Sequence, residues 1–249
     1  MLLNLTDLLL LSSVIWLPLF SLSLLSQFLV RLLGKRVVVI IGILGVPIHE
    51  ASHMIACVLC NHKIKSFALY KPCFDGTLGY VNHEYRRSWI SPLCLLLIGM
   101  APLIGGWLVF GALTAALRPD LAQFFSSYSG NIANIEQAIT FLSMFAGSIF
   151  STGGIVKTII WMVIGFSILL FSVPSRADFN GCKSAVITLI ALLAIWFWLF
   201  PSFSLQTIEK IIGFLTLLAG PLYVVLLILL PALVLLWIRR VLVPKQEAF

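Results

Sequence analysis

Residues 37–60 form an apolar run of 24 positions, long enough to cross the hydrocarbon core of a bilayer as a single helix. Inside it stands Gly45-Val46-Pro47-Ile48-His49-Glu50-Ala51-Ser52-His53-Met54. Ionisable side chains within hydrocarbon are costly, and by default they mark a functional site. His49 and His53 are four residues apart, which puts both imidazoles on one helical face, one turn apart. His-Glu-x-x-His in that frame suits two ligands on one zinc ion, with Glu50 beside them to act on a water at the metal. The bland alternative is a coincidence, or a buried pair satisfied by hydrogen bonds. The chain has only four histidines, and two of them fall in this frame, which favours the metal.

The rest of the chain agrees with a lipid setting. It is 61% hydrophobic and 10% charged, with a mean hydropathy of +1.10. Those values exclude a soluble domain and indicate a polytopic membrane protein. The formal charge of +7 comes from 16 Lys+Arg against 9 Asp+Glu. These bases punctuate apolar runs, so they read as topology signals and lipid-headgroup contacts, and no nucleic-acid site is expected. Cys57, Cys60, Cys73, Cys94 and Cys182 are an odd, scattered set that implies no disulfide framework. Cys57-x-x-Cys60 has no second pair, and small buried hydrophobes are its expected role.

Read in order, the sequence predicts an all-α polytopic membrane protein of about six transmembrane helices, with a small membrane-associated β-hairpin after the second. Residues 8–33 are the first span; no small-residue cleavage site follows, so the run is expected to stay as a helix. Residues 37–60 are the second. Pro47 cannot donate to the carbonyl four residues back, so a kink or opening is expected beside the motif, although Gly42 and Gly45 also suit plain close packing. Residues 61–89 are the one long polar segment. Asn61 stands where a helix C-cap belongs, and Asp75-Gly76 precedes a β-prone run, so a hairpin should turn there. Residues 90–117 are a third span rich in small residues that allow close helix contact. Residues 118–134 read as a loop and 135–150 as an interfacial or re-entrant helix. Residues 155–173, 184–200 and 211–238 complete the spans, with Pro221 and Pro231 as kinks. The whole is one integral-membrane domain, 1–249.

Ten of the 16 bases fall on one side if the hairpin, the loop at 174–183 and the C-terminal tail share it. That bias makes this side cytoplasmic and places His49 and His53 between the midplane and the cytoplasmic face.

A catalytic zinc wants three protein ligands and one open position. The remaining histidines, His62 and His83, lie in the polar segment with Asp75 and Glu84. Asp178 ends a span and is followed by Asn180-Gly181, so the chain can bend to aim it inward. Position alone leaves that role level with capping of the helix expected at 184–200 or an ion pair to Arg176.

The chain resembles the site-2 protease family of intramembrane zinc metalloproteases, in particular its short bacterial members. The resemblance rests on His49-Glu50-x-x-His53, Gly79-Tyr80-Val81, the segment Leu97-Ile98-Gly99-Met100-Ala101-Pro102-Leu103 and the later Pro174-Ser175-Arg176-Ala177-Asp178-Phe179-Asn180-Gly181. It covers over four-tenths of the chain and divides it into a first helix (1–36), a metalloprotease core (37–189, with a β segment at 61–89) and C-terminal helices (190–249). It implies Zn2+ on His49, His53 and Asp178, Glu50 as catalytic base, and substrate contacts at Gly79, Tyr80 and Asn180. The chain departs from the family in having Val173-Pro174-Ser175 ahead of Asp178, Phe179 after it, and Ala101-Pro102 where Gly-Pro is common. The implied substrate is a single-span membrane protein or signal-peptide-like segment in the lipid bilayer of a bacterial cytoplasmic (inner) membrane. The short loops leave no room for a peptide-binding insert, so any regulator would be a separate membrane protein. A non-catalytic scaffold of the same fold and an ion transporter are the competing expectations.

Overall fold

The computed structural model describes residues 34–127 and 154–175, with isolated positions at 140, 143–145, 147–149, 177, 178, 180, 195, 199, 234 and 238. The predicted span at 8–33 lies outside the described residues, as do those at 184–200 and 211–238 apart from single helical positions.

Among the described residues, three helices are long and apolar enough to cross a membrane. They are α1 (Lys35–Leu59), α2 (Ser91–Leu117) and α4 (Ile155–Ser172), and each packs on the other two. Their bounds fall within two residues of the predicted spans. A short helix, α3 (Pro119–Ser127), follows α2 directly. This corrects the expectation of a loop: Pro119 opens the helix and Asp120 sits in its first turn, both favourable there. Between α1 and α2 run two antiparallel strands, β1 (Lys63–Ala68) and β2 (Tyr80–Glu84), with an irregularity between Ile64 and Ser66.

Burial in the three helices follows from lipid on one side and close packing on the other. α1 buries Val38, Gly42, Gly45, Val46, Glu50, His53, Ala56 and Cys57, a stripe at helical spacing. Its opposite face leaves Ile40, Ile55 and Val58 more than 60% exposed, suited to acyl chains. Lipid tails are as apolar as leucine, so helix association depends on fit. The small residues supply that fit. A Cβ on Gly45 would collide with the Ser167 carbonyl and Phe171, and Gly105 and Gly106 meet the side chains of Ser52 and Ser172. Beyond them Leu103, Phe110, Leu121, Phe145, Ile149, Trp161 and Leu169 form one core cluster.

Among the described residues Arg118 is the most buried charge, at 1% exposure. Its guanidinium donates to both Asp120 carboxylate oxygens, to the Ser148 and Ile149 carbonyls and to Thr158 Oγ1. A buried cation is tolerated when paired and fully hydrogen-bonded in this way.

The hairpin turns at Asp75-Gly76, as the sequence predicts. Gly76 has φ 97°, and the Asp75 carboxylate accepts the Thr77 N–H. The ladder continues past the strands, Lys71 N–H donating to the Leu78 carbonyl and Cys73 N–H to that of Thr77. The hairpin base lies at the C-terminal end of α1. Its far end reaches back to the start of α1, where Tyr70 donates to the Val39 carbonyl and Lys35 to that of Phe74. The hairpin therefore runs alongside a helix long and apolar enough to cross a membrane.

Candidate metal centre

One turn before His49 a side chain from α4 reaches the α1 ladder. The Ser167 hydroxyl accepts the Gly45 N–H and donates to the Ile41 carbonyl, the two members of one i to i−4 backbone pair. α1 continues as one helix through Pro47, and the side chain that meets its ladder one turn before the motif is that of Ser167.

Beyond that contact, both histidines of the motif are oriented by backbone carbonyls. His49 Nδ1–H donates to the Phe171 carbonyl at 2.6 Å, and His53 Nδ1–H donates to the Ile98 carbonyl at 2.8 Å. The acceptors belong to α4 and α2, so the packing of three helices fixes both rings. With each Nδ1 carrying its proton, each Nε2 of a neutral ring presents a lone pair. These two Nε2 atoms face each other at 3.1 Å.

Asp178 closes the triangle. Its Oδ1 is 3.2 Å from His53 Nε2, and its Oδ2 is 3.6 Å from His49 Nε2. The carboxylate also accepts the Ser175 N–H at 2.6 Å, while Asp178 N–H donates to Ser175 Oγ at 3.2 Å. That reciprocal pair is a capping box. Asp178 therefore joins a capping box at 175–178 and also stands against both imidazoles; the cap expected for the helix at 184–200 and the ion pair to Arg176 lie outside the described residues.

The three side chains fit a divalent cation. Their donor atoms lie within 4.8 Å of one another. Two nitrogens on one tetrahedral zinc would stand about 3.3 Å apart, close to the separation found. Three lone-pair sites converge there in a setting where the His49, His53 and Asp178 side chains are 12%, 9% and 14% exposed. One proton would relieve one contact, whereas a cation relieves all three. Donation of both Nδ1–H groups to carbonyls is the outer arrangement that metal-bound histidines use.

Glu50 is 7% exposed, and with His49, His53 and Asp178 it lines a cavity of about 760 Å³. Gly76 to His83 form one wall, and Phe171 to Ser175 contribute to another. Gly79 is pressed against the site: a Cβ there would stand 2.8 Å from Glu50 Cγ. Of the three expected substrate contacts, Gly79 and Tyr80 line this cavity. Asn180 is exposed and is not among the lining residues.

A second group gathers at the far end of α1. Cys57, His62 and His83 bring a thiol sulfur and two imidazole nitrogens within 4.8 Å of one another and could also hold a metal ion. Cys57 is fully buried, as expected of a small hydrophobe, but the sequence reading missed its two neighbours. Burial keeps the His62 imidazole below the usual histidine range; burial, then the nearby His62 and His53, does the same for His83. Both are thereby favoured in the neutral form that binds metals.

No family model, curated protein or solved structure matches this chain.

Proposed function

We propose that the chain is an intramembrane zinc metalloprotease, hydrolysing peptide bonds in or near the transmembrane segments of single-span membrane proteins or signal-peptide-like substrates. The observation that carries this reading is the convergence of His49 Nε2, His53 Nε2 and the Asp178 carboxylate beside Glu50 on one cavity between membrane-spanning helices. When bound, zinc supplies Lewis-acid stabilisation of the developing oxyanion and lowers the pKa of water toward neutrality. Glu50 takes the proton of the attacking water and returns it to the leaving amine. The Phe171 and Ile98 carbonyls hold the two imidazoles in register, and the Ser175 N–H orients Asp178.

Substrate presentation follows from the hairpin. A transmembrane helix hides its carbonyls in its own hydrogen bonds and must unwind before hydrolysis. β2 pairs only with β1 among the described residues, and residues 76–83 line the cavity, whereas residues 65–70 do not. An unpaired strand edge beside a membrane-spanning helix cannot be satisfied by lipid; it needs water or another strand. Strand addition by the unwound substrate along residues 77–82 meets that need. The active site opens toward the cytoplasmic side of a bacterial inner membrane in this reading, and regulation falls to a separate membrane protein.

The test is hydrolysis of a single-span substrate by the full chain reconstituted in liposomes. Cleavage should stop on chelation and return with Zn2+. Cleavage that survives chelation contradicts the proposal. A chain that carries zinc yet cleaves nothing points to the scaffold, and zinc flux across the liposome points to a transporter.

A further inference from the structure

We propose that Cys57, His62 and His83 form a second metal site, separate from the first and specific for a thiophilic cation such as Zn2+, which clamps the hairpin base to the end of α1. The inference does not depend on the proteolytic reading.

The site is built by the way α1 stops. Asn61 adopts the left-handed region, with φ 56°. Asn61 N–H donates to the Val58 carbonyl at 3.0 Å and His62 N–H to that of Cys57 at 2.8 Å. These two bonds are a Schellman motif, which folds the residue two past the cap back onto the last turn. The two side chains brought together are normally apolar. Here they are a thiol and an imidazole. The strand register then delivers the third donor, because His83 pairs with Ile64, two residues beyond His62.

The donors match the chemistry of a zinc-like ion. His62 Nδ1 and His83 Nδ1 are 3.1 Å apart, within a few tenths of an ångström of the separation on a tetrahedral zinc. A thiolate with two imidazoles is a borderline-soft set, unlike the harder His-His-Asp set of the first site. The His62 ring is held by Tyr85, stacked on it at 4.6 Å and 8°. The cluster is not sealed, since His83 borders the large cavity and gives an ion a way in. Without a cation the two histidines make a single N–H···N hydrogen bond, and Cys57 is one member of a small apolar cluster with Ala56, Ile98 and Ala101.

Cobalt distinguishes these cases, because only this site offers sulfur. Metal-free full-length protein in detergent, titrated with Co2+, should bind two ions and develop thiolate-to-cobalt charge-transfer absorption. Cys57→Ser and, independently, the half-buried His83→Ala should each bind one ion and lose that absorption, whereas Asp178→Asn should keep it. Absence of the band in the wild-type protein at two equivalents overturns the proposal, and so does its survival in Cys57→Ser.

Discussion

Gly79 leaves no room for a side chain beside Glu50. A Cβ at position 79 would lie 2.8 Å from Glu50 Cγ, 2.9 Å from the Ala68 carbonyl oxygen and 3.0 Å from Val46 Cγ1. Two of these neighbours belong to α1 and one to β1, so the contact fixes the gap between the hairpin and the helix that carries the motif. Gly79→Ala must push Glu50 aside or lift the hairpin, at a cost of about 1–3 kcal/mol. Hydrolysis should fall at least tenfold while the zinc bound by His49, His53 and Asp178 stays. Peptide-cleavage rates and metal analysis on the same sample check this.

Gly45 sets the approach of α1 to α4 in the same way. Gly45→Ala would collide with the Ser167 backbone and Phe171. Phe171 also supplies the carbonyl that orients His49. The substitution touches no ligand, yet it should lower zinc affinity by the 10–100-fold usual for losing an outer partner. Competition with a chromophoric chelator measures it. Ser167→Ala should be far milder, about 1 kcal/mol or less, because the Gly45 N–H and the Ile41 carbonyl are one i to i−4 backbone pair and can satisfy each other.

Asp178→Asn separates the two roles of this residue. The amide oxygen can still accept the Ser175 N–H, so the helix start is kept. The negative charge facing His49 and His53 is lost. Metal-free variant and metal-free wild type should therefore unfold at the same temperature, and zinc should stabilise the variant less than the wild type, by the share that the His49, His53 and Asp178 site contributes. A variant equally stabilised by zinc would remove Asp178 from the ligand set.

Arg118 serves stability. Arg118→Ala abandons the Asp120 carboxylate, the Ser148 and Ile149 carbonyls and Thr158. The Arg118 end of the pair is buried but the Asp120 carboxylate is 31% exposed, so the loss falls below the ~3–5 kcal/mol of a fully buried pair, at about 2–3 kcal/mol. Adding Asp120→Ala should cost less than the two single changes combined, since the residues share one network. Denaturation in detergent reads both.

How much of this was legible before the structure depends on distance along the chain. The pairing of His49 with His53 needs only helical spacing, and the hairpin turn needs only Asp75-Gly76. The apolar runs locate α1, α2 and α4 to within two residues. Asp178 is a different matter: it lies more than a hundred residues from the motif, and Ser175-x-x-Asp178 is an ordinary capping signal as well. Helix α3 was missed although Pro119 and Asp120 are start signals, because its short stretch was read only as a connection between spans. Cys57, His62 and His83 have no ligand spacing in sequence. A left-handed Asn61 and an irregular strand register bring them together; the cap at Asn61 was legible, but the register that places His83 beside His62 cannot be read from composition or periodicity.

The central claim is that Glu50 works on a water beside a cation held by His49, His53 and Asp178. Parallel measurement of zinc content and single-span substrate cleavage, for wild type and Glu50→Gln in the same liposomes, tests it most directly. The account predicts equal zinc in both proteins, with cleavage by the variant at or below one hundredth of wild type. Undiminished cleavage by Glu50→Gln, or a wild-type protein that cleaves with no zinc bound, would contradict it.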